Sequence, residues 1–177
     1  SIRVIVYRLG IGNGGERIWY DTKTAWTATN GSWQIDGLLD GTYQVGFTPP
    51  PESKVVGEFL GGGATYFDGN GVVIEAGASV SGLDELLPLE ARIAGTVRSE
   101  AGELLGGVMV LAYEGYDHYG PQEWKVVRAD WTDHEGRYEL HGLRATTHRL
   151  RFSDVMSPEN GYLTEYYDDV ETLEEAK

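Results

Sequence analysis

The sequence of 177 residues contains no cysteine, which excludes disulfide frameworks, thiol catalysis and cysteine zinc sites. This absence is compatible with export and does not by itself identify the compartment. No run approaches the roughly 18 consecutive apolar residues of a membrane span, and no signal peptide opens the chain at Ser1. We therefore expect a mature product or an excised fragment.

Basic residues are also scarce, with 14 Lys and Arg against 28 Asp and Glu and a formal net charge of -14 at pH 7. Such a surface repels phosphate backbones and anionic lipid headgroups. We therefore expect neither a nucleic-acid partner nor a membrane span.

Glycine and aromatic residues are abundant: the chain has 25 Gly, 11 Tyr and 5 Trp. Few stretches run without Gly, Pro, Asn or Asp, and this punctuation favours short strands over long helices. The predicted fold class is all-β.

An internal repeat organises the chain. The segment WTATNGSWQIDGLLDGTYQVGF at 26–47 aligns without a gap with WTDHEGRYELHGLRATTHRLRF at 131–152, at an offset of 105 residues. Aromatic, glycine and apolar positions coincide along the whole segment. The match predicts two tandem domains, residues 1–89 and 90–177.

The repeat extends in both directions. Upstream, SIRVIVYR at 1–8 matches GVMVLAYE at 107–114 when the intervening hairpin gains one residue. Downstream, EFL at 58–60 corresponds to EYY at 165–167. These matches predict the same order of strands in both copies.

Apolar residues alternate with polar ones in several short segments, as half-buried strands require. Trp33 and Ile35 show this pattern, and so do Val72 with Ile74 and Val80 with Leu83. Glycines in NGS, EGR, IDGL and LHGL predict tight turns beside these strands. Because no Ser or Pro tract separates the copies, we expect them to be stiffly coupled.

Three segments of the second copy carry a family resemblance: IAGTV, EAGELLGGVMV and TDHEGRYELHGL. The chain resembles the carboxypeptidase regulatory-like domain family, within the prealbumin-like or Cna B-type group. The resemblance implies two tandem Greek-key β-sandwich domains that are not catalytic. Some stalk domains of this group carry a Lys to Asn isopeptide bond, which we do not predict here because ARIAGTVR contains no Lys.

Each copy lacks one segment of the repeat. The first has no counterpart of IAGTVRSEAGELLG, and the second has none of VVIEAGASVSGLD, so the chain holds about 1.7 repeat lengths. Each sandwich is therefore expected to have an unpaired edge. The missing segments are explained either by a fragment boundary or by a neighbouring chain that donates the strand and forms a head-to-tail oligomer.

Aromatic residues give one candidate binding site, because sugar-binding modules stack rings on apolar sugar faces. The alternative is that about half of them are core residues. The candidate carbohydrate-binding residues are Tyr116, Tyr119, Trp124, Tyr166 and Tyr167.

Carboxylates near the end of the chain give a second candidate site. Asp168, Asp169 and Glu171 could supply oxygen ligands to Ca²⁺, the one metal the sequence suggests. The alternative is a solvated acidic terminus.

Catalytic signatures are missing. The four histidines have no metal-ligand spacing of the H-x-x-x-H or H-E-x-x-H type, and no G-x-S-x-G occurs. We therefore expect no enzyme. The leading hypothesis is a structural, adhesion or self-assembly module, secreted or at the cell surface, whose partners are other domains, surface proteins or glycans. The alternative is a carbohydrate-binding accessory region of a secreted hydrolase.

Overall fold

A computed structural model describes residues 1–116, 123–154 and 163–176. The chain divides into two compact units, Ser1–Leu89 and Glu90–Lys177, called unit 1 and unit 2 below. The described secondary structure consists of strands in antiparallel sheets, which confirms the all-β class. No helix occurs in the described ranges, and so none that is long and apolar enough to cross a membrane.

Unit 1 is built on one antiparallel sheet. Its strands are β1 (Arg3–Ile11), β2 (Arg17–Trp26), β3 (Gly41–Thr48), β4 (Glu58–Phe59) and β5 (Val72–Ile74). The order is β2-β1-β3-β4, and β5 also pairs with β3. The inner face of this sheet forms the core, with Val4, Val6, Tyr43, Val45, Phe47, Leu60 and Val72 buried.

Unit 2 has two sheets with a shared core, a sandwich-like arrangement. Its strands are β6 (Ala91–Thr96), β7 (Met109–Tyr116), β8 (Glu123–Trp131), β9 (Arg137–Leu143), β10 (His148–Ser153) and β11 (Glu165–Tyr166). One sheet has the order β11-β10-β7-β8 and the other pairs β6 with β9. Buried side chains from both sheets meet: Val110, Ala112, Leu140, Leu143 and Leu150.

The sequence repeat is also a repeat of topology. Strands β7, β8, β10 and β11 of unit 2 follow the same order as β1, β2, β3 and β4 of unit 1. A register shift lies between Val6 and Tyr7 in unit 1 and between the matching residues Ala112 and Tyr113 in unit 2. The β-bulge is therefore part of the repeated architecture.

Side-chain hydrogen bonds to the backbone repeat as well. Thr27 Oγ1 accepts from the backbone N–H of Ile2, and Thr132 Oγ1 accepts from that of Val108 at 2.9 Å. A basic side chain on the second strand of each hairpin also donates to the carbonyl before a turn glycine. These donors are Lys23, which bonds Asp36 O, and Arg128, which bonds His141 O at 2.9 Å.

Within the aligned part of the repeat, the described residues of the two units differ at one strand. Arg137–Leu143 form β9 and pair with β6, whereas the matching residues 32–38 of unit 1 form no strand. The prediction of a strand at Trp33 and Ile35 was wrong, because a strand exists only where a partner accepts its backbone hydrogen bonds. For the same reason the alternation of Val80 and Leu83 does not form a strand, since residues 79–88 are not paired in any described ladder.

Candidate functional site

The outer face of the unit 1 sheet, opposite its core, carries a group of packed rings. Residues paired across neighbouring strands share a face, and the pairs Tyr7 with Gln44, Leu9 with Trp19, and Gly46 with Phe59 lie on this side. The segment after β4 adds two more rings. The outer-face cluster consists of Tyr7, Trp19, Phe59, Tyr66 and Phe67.

Tyr66 is the centre of the outer-face cluster. Its ring centroid lies 6.1 Å from Tyr7, 6.4 Å from Trp19, 5.9 Å from Phe59 and 4.5 Å from Phe67. The interplanar angles run from tilted to perpendicular, as favourable aromatic pairs do. Phe67 is 41% exposed, so the cluster presents apolar ring surface to solvent.

Two residues of β3 hold the rings in place. The Nε2 of buried Gln44 donates to Gly69 O at 2.9 Å and so ties the segment after β4 to the sheet. Gly46 gives the rings room, because a Cβ there would lie 3.1 Å from the Phe59 ring and 3.3 Å from the Tyr7 ring. The cluster is therefore fixed by its scaffold.

Burial affects the pKa of one phenol of the cluster, that of Tyr7. Burial raises the pKa of Tyr7 above its ordinary value, and the nearby Asp21 carboxylate raises it further. Both effects disfavour the phenolate. The cluster thus offers apolar faces and a neutral phenol, which suit stacking and hydrogen bonding.

The matching face of unit 2 is less aromatic. Trp124 takes the place of Trp19, and the Arg149 guanidinium lies 4.0 Å from the centroid of its ring, in a cation–π contact. Arg149 also donates to Leu173 O at 2.7 Å. Leu173 and Glu174 stand where unit 1 has Tyr66 and Phe67, so two rings are lost.

The structure divides the predicted carbohydrate-binding residues between two faces. Trp124 pairs with Gly115 and lies on the outer face, as does Tyr166, which pairs with Arg151. Tyr116 lies on the inner side, where Lys125 Nζ is 5.2 Å from its ring centroid.

The last two predicted residues do not join the outer face as described. Tyr167 comes just after β11, in a turn, and is exposed. Its charge effect reaches Tyr138, whose pKa is raised first by burial and second by Tyr167. Tyr119 lies outside the described residues. Carbohydrate binding by the five predicted residues stays a prediction.

The predicted calcium ligands Asp168 and Asp169 occupy a tight loop with left-handed backbone. Their φ angles are 79° and 56°, and the matching residues of unit 1 are Gly61 and Gly62, at 86° and 84°. The isolated bridges that close the loop also match, with Phe59 to Gly63 in unit 1 and Tyr166 to Val170 in unit 2. Turn geometry therefore accounts for the position of both carboxylates.

Glu171 follows this loop and is exposed. Within the part of the chain that is described, no group of three or more His, Asp or Glu side chains is placed to hold a metal ion. Calcium binding stays a prediction.

Asp169→Gly tests the two explanations of this loop. If the residue serves the turn, glycine relieves the left-handed backbone and raises the free energy of unfolding of unit 2 by about 0.5–1 kcal/mol. Thermal unfolding with and without millimolar Ca²⁺ measures this. If Ca²⁺ stabilises the wild type and that gain disappears in Asp169→Gly, the turn explanation is contradicted. Gly62→Ala is the matched control and should destabilise unit 1.

The histidines have separate roles where they are described. His141 Nε2 lies 3.4 Å from a Glu139 carboxylate oxygen. The His148 side chain is 3% exposed, its Nδ1 is 3.0 Å from Thr146 O, and its Nε2 is 3.8 Å from Glu114 Oε2. His118 lies outside the described residues. The buried pair of His148 and Glu114 was missed from the sequence, since the two lie on different strands.

Unit 2 also contains a cavity of about 830 Å³ between the turn after β6 and the ends of β10 and β11. Its lining mixes apolar side chains with carboxylates. The acidic lining residues are Glu100, Glu103, Asp154, Glu165 and Asp169, and Arg98 lies among them.

Comparison with known proteins adds nothing to this geometry. No family model, curated protein or solved structure matches the chain. Any statement about its function therefore depends on the residues and contacts described above.

Proposed function

We propose that the chain is a non-catalytic structural module of a secreted or cell-surface protein, built from tandem prealbumin-like Greek-key repeats. One observation carries the proposal: the contacts that recur in both units serve the scaffold. They include the bulge between Val6 and Tyr7, the threonine bonds at Thr27 and Thr132, and the left-handed loop after β4. A duplicated scaffold with divergent side chains suits spacing or adhesion.

Pulling experiments on single molecules test the spacer function. A chain held between two handles should unfold in two separate events, each releasing on the order of 300 Å of contour length, because each unit has its own core. One event that releases the length of the whole chain would contradict a spacer made of separately folded repeats. Hydrolytic activity on peptide or glycan substrates would contradict the non-catalytic assignment.

Carbohydrate binding is the second candidate, favoured by the exposed ring of Phe67 in the outer-face cluster. Its test is a glycan array with variants on opposite faces. If the outer face binds sugars, Trp124→Ala and Phe67→Ala should weaken binding by about tenfold or more, since a lost ring stack costs a kcal/mol or more. Tyr116→Ala, on the inner side, separates the two faces: it should bind like the wild type if the outer face alone binds sugars, and more weakly if the predicted residue Tyr116 takes part. Absence of binding to any glycan would remove this candidate.

A further inference from the structure

Residues 33–38 of unit 1 present a backbone edge that no strand pairs with in the described structure. One side of this segment faces β2, through the hydrogen bond from Lys23 to Asp36 O. In the described structure, residues 33–38 make no backbone to backbone hydrogen bond. The segment nevertheless packs its apolar side chains, Trp33, Ile35 and Leu38, against the core of unit 1.

Unit 2 shows what lies at the same place in the duplicated fold. The matching strand β9 pairs with β6, with Leu143 opposite Ala91, Leu140 opposite Ile93, and Tyr138 opposite Gly95. Under this cover Leu140 and Leu143 are each 1% exposed. Their counterparts Ile35 and Leu38 are only half-buried.

Unit 1 has an aromatic ring, that of Trp33, at the position where Tyr138 contacts β6 in unit 2. Tyr138 packs edge-on against Phe152 at 5.8 Å, and the matching residue Trp33 packs edge-on against Phe47 at 5.9 Å. Tyr138 also covers Gly95, because a Cβ there would lie 2.7 Å from its hydroxyl oxygen. A strand laid on Trp33 therefore needs glycine at that point.

A matched pair of turn glycines marks the open side. In unit 2 a Cβ on Gly136 would lie 2.7 Å from Val97 O, just after β6. In unit 1 a Cβ on the matching Gly31 would meet nothing within 4 Å. The space beside Gly136 that the continuation of β6 fills in unit 2 is thus open beside Gly31 in unit 1.

We propose that unit 1 binds one added antiparallel strand with the pattern of β6, at the edge of residues 33–38. The occupant is an extended segment with glycine opposite Trp33 and an apolar residue opposite Ile35, in the register of Gly95 and Ile93. This inference rests on the proposed function. A structural module must contact its neighbours, and we take the added strand to be that contact. It is an instance of strand addition.

The β6 strand of a second copy is not the occupant, because it is already paired with its own β9. Leu140 and Leu143 beneath it would be exposed if it left. Self-association through residues 33–38 is accordingly an outcome that would overturn the proposal.

The test adds a peptide of residues 91–99, ARIAGTVRS, to the ¹⁵N-labelled full chain. Saturable shifts should appear at the amides of residues 32–38, and the amides of Trp33 and Ile35 should become protected from hydrogen exchange. A peptide carrying Gly95→Val should bind at least about tenfold more weakly, because its side chain meets the Trp33 ring. Gly31→Ala in the chain should also weaken peptide binding.

Three results would overturn the proposal. They are no shift at millimolar peptide, shifts at residues 137–143 that indicate exchange with β6, and concentration-dependent dimers without peptide by sedimentation. None of these bears on whether the chain is a non-catalytic spacer, since the two unfolding events under load are measured without peptide. Failure of the strand proposal and failure of the proposed function are therefore separate results.

Discussion

Leu140→Ala is expected to lower the free energy of unfolding of unit 2 by about 3–5 kcal/mol. Leu140 is 1% exposed and packs between the two sheets of the sandwich-like core. Its truncation removes apolar burial and leaves a cavity that the sheets cannot collapse to fill. Hydrogen exchange of the slowest β7 and β10 amides measures the loss for this unit alone, because a chain of two units need not unfold in one step.

The matched control for this prediction is Ile35→Ala in unit 1. Ile35 occupies the same repeat position but is only half-buried, since no strand covers it. We expect a cost of about 1–2 kcal/mol, measured at the slowest β1 and β3 amides. Equal losses of unfolding free energy in the two units would show that β6 does not determine how much this side chain contributes to stability.

Gly136→Ala is expected to destabilise unit 2 by about 2–4 kcal/mol, and Gly31→Ala to destabilise unit 1 by only about 1 kcal/mol. Both glycines have left-handed backbone, with φ of 72° and 85°. Only Gly136 also faces a carbonyl oxygen, that of Val97, at 2.7 Å from the position of a Cβ. Alanine is strained by the positive φ in both units, but it clashes with a neighbouring atom only at position 136 in unit 2.

The measurement for the glycine pair is again hydrogen exchange, unit by unit. In each variant the unmutated unit of the same chain is an internal control and should keep its wild-type exchange rates. A Gly31→Ala loss as large as that of Gly136→Ala would contradict an open edge beside residues 33–38.

Local features of the fold could be predicted from the sequence. Gly31 and Gly136 were assigned to turns because few other residues adopt positive φ, and both do adopt it. The Val72 and Ile74 alternation does form β5. What could not be predicted was whether Trp33 and Ile35 would pair, because pairing depends on a partner distant in sequence.

The candidate site was harder to predict for the same physical reason. Trp19 and Lys23 are four residues apart, so counting by twos assigns them to one face of a strand. The bulge at Thr22 places Trp19 with Leu9 on the outer face and Lys23 with Val6 on the inner face. The rings of the segment after β4, which complete the outer-face cluster, follow no period at all.

The same bulge determines where each hairpin can change length. Thr22 and its counterpart Val127 have no residue opposite them in the register, although Thr22 Oγ1 donates to Val6 O, so losing either residue leaves every remaining pair on its present face. Losing a paired residue further from the bulge, such as Ile18, would instead shift Trp19 and the residues up to the bulge by one register position and turn them to the opposite face. Single-residue deletions in β2 or β8 that keep every other residue on its present face are therefore confined to the bulge and the residues next to it.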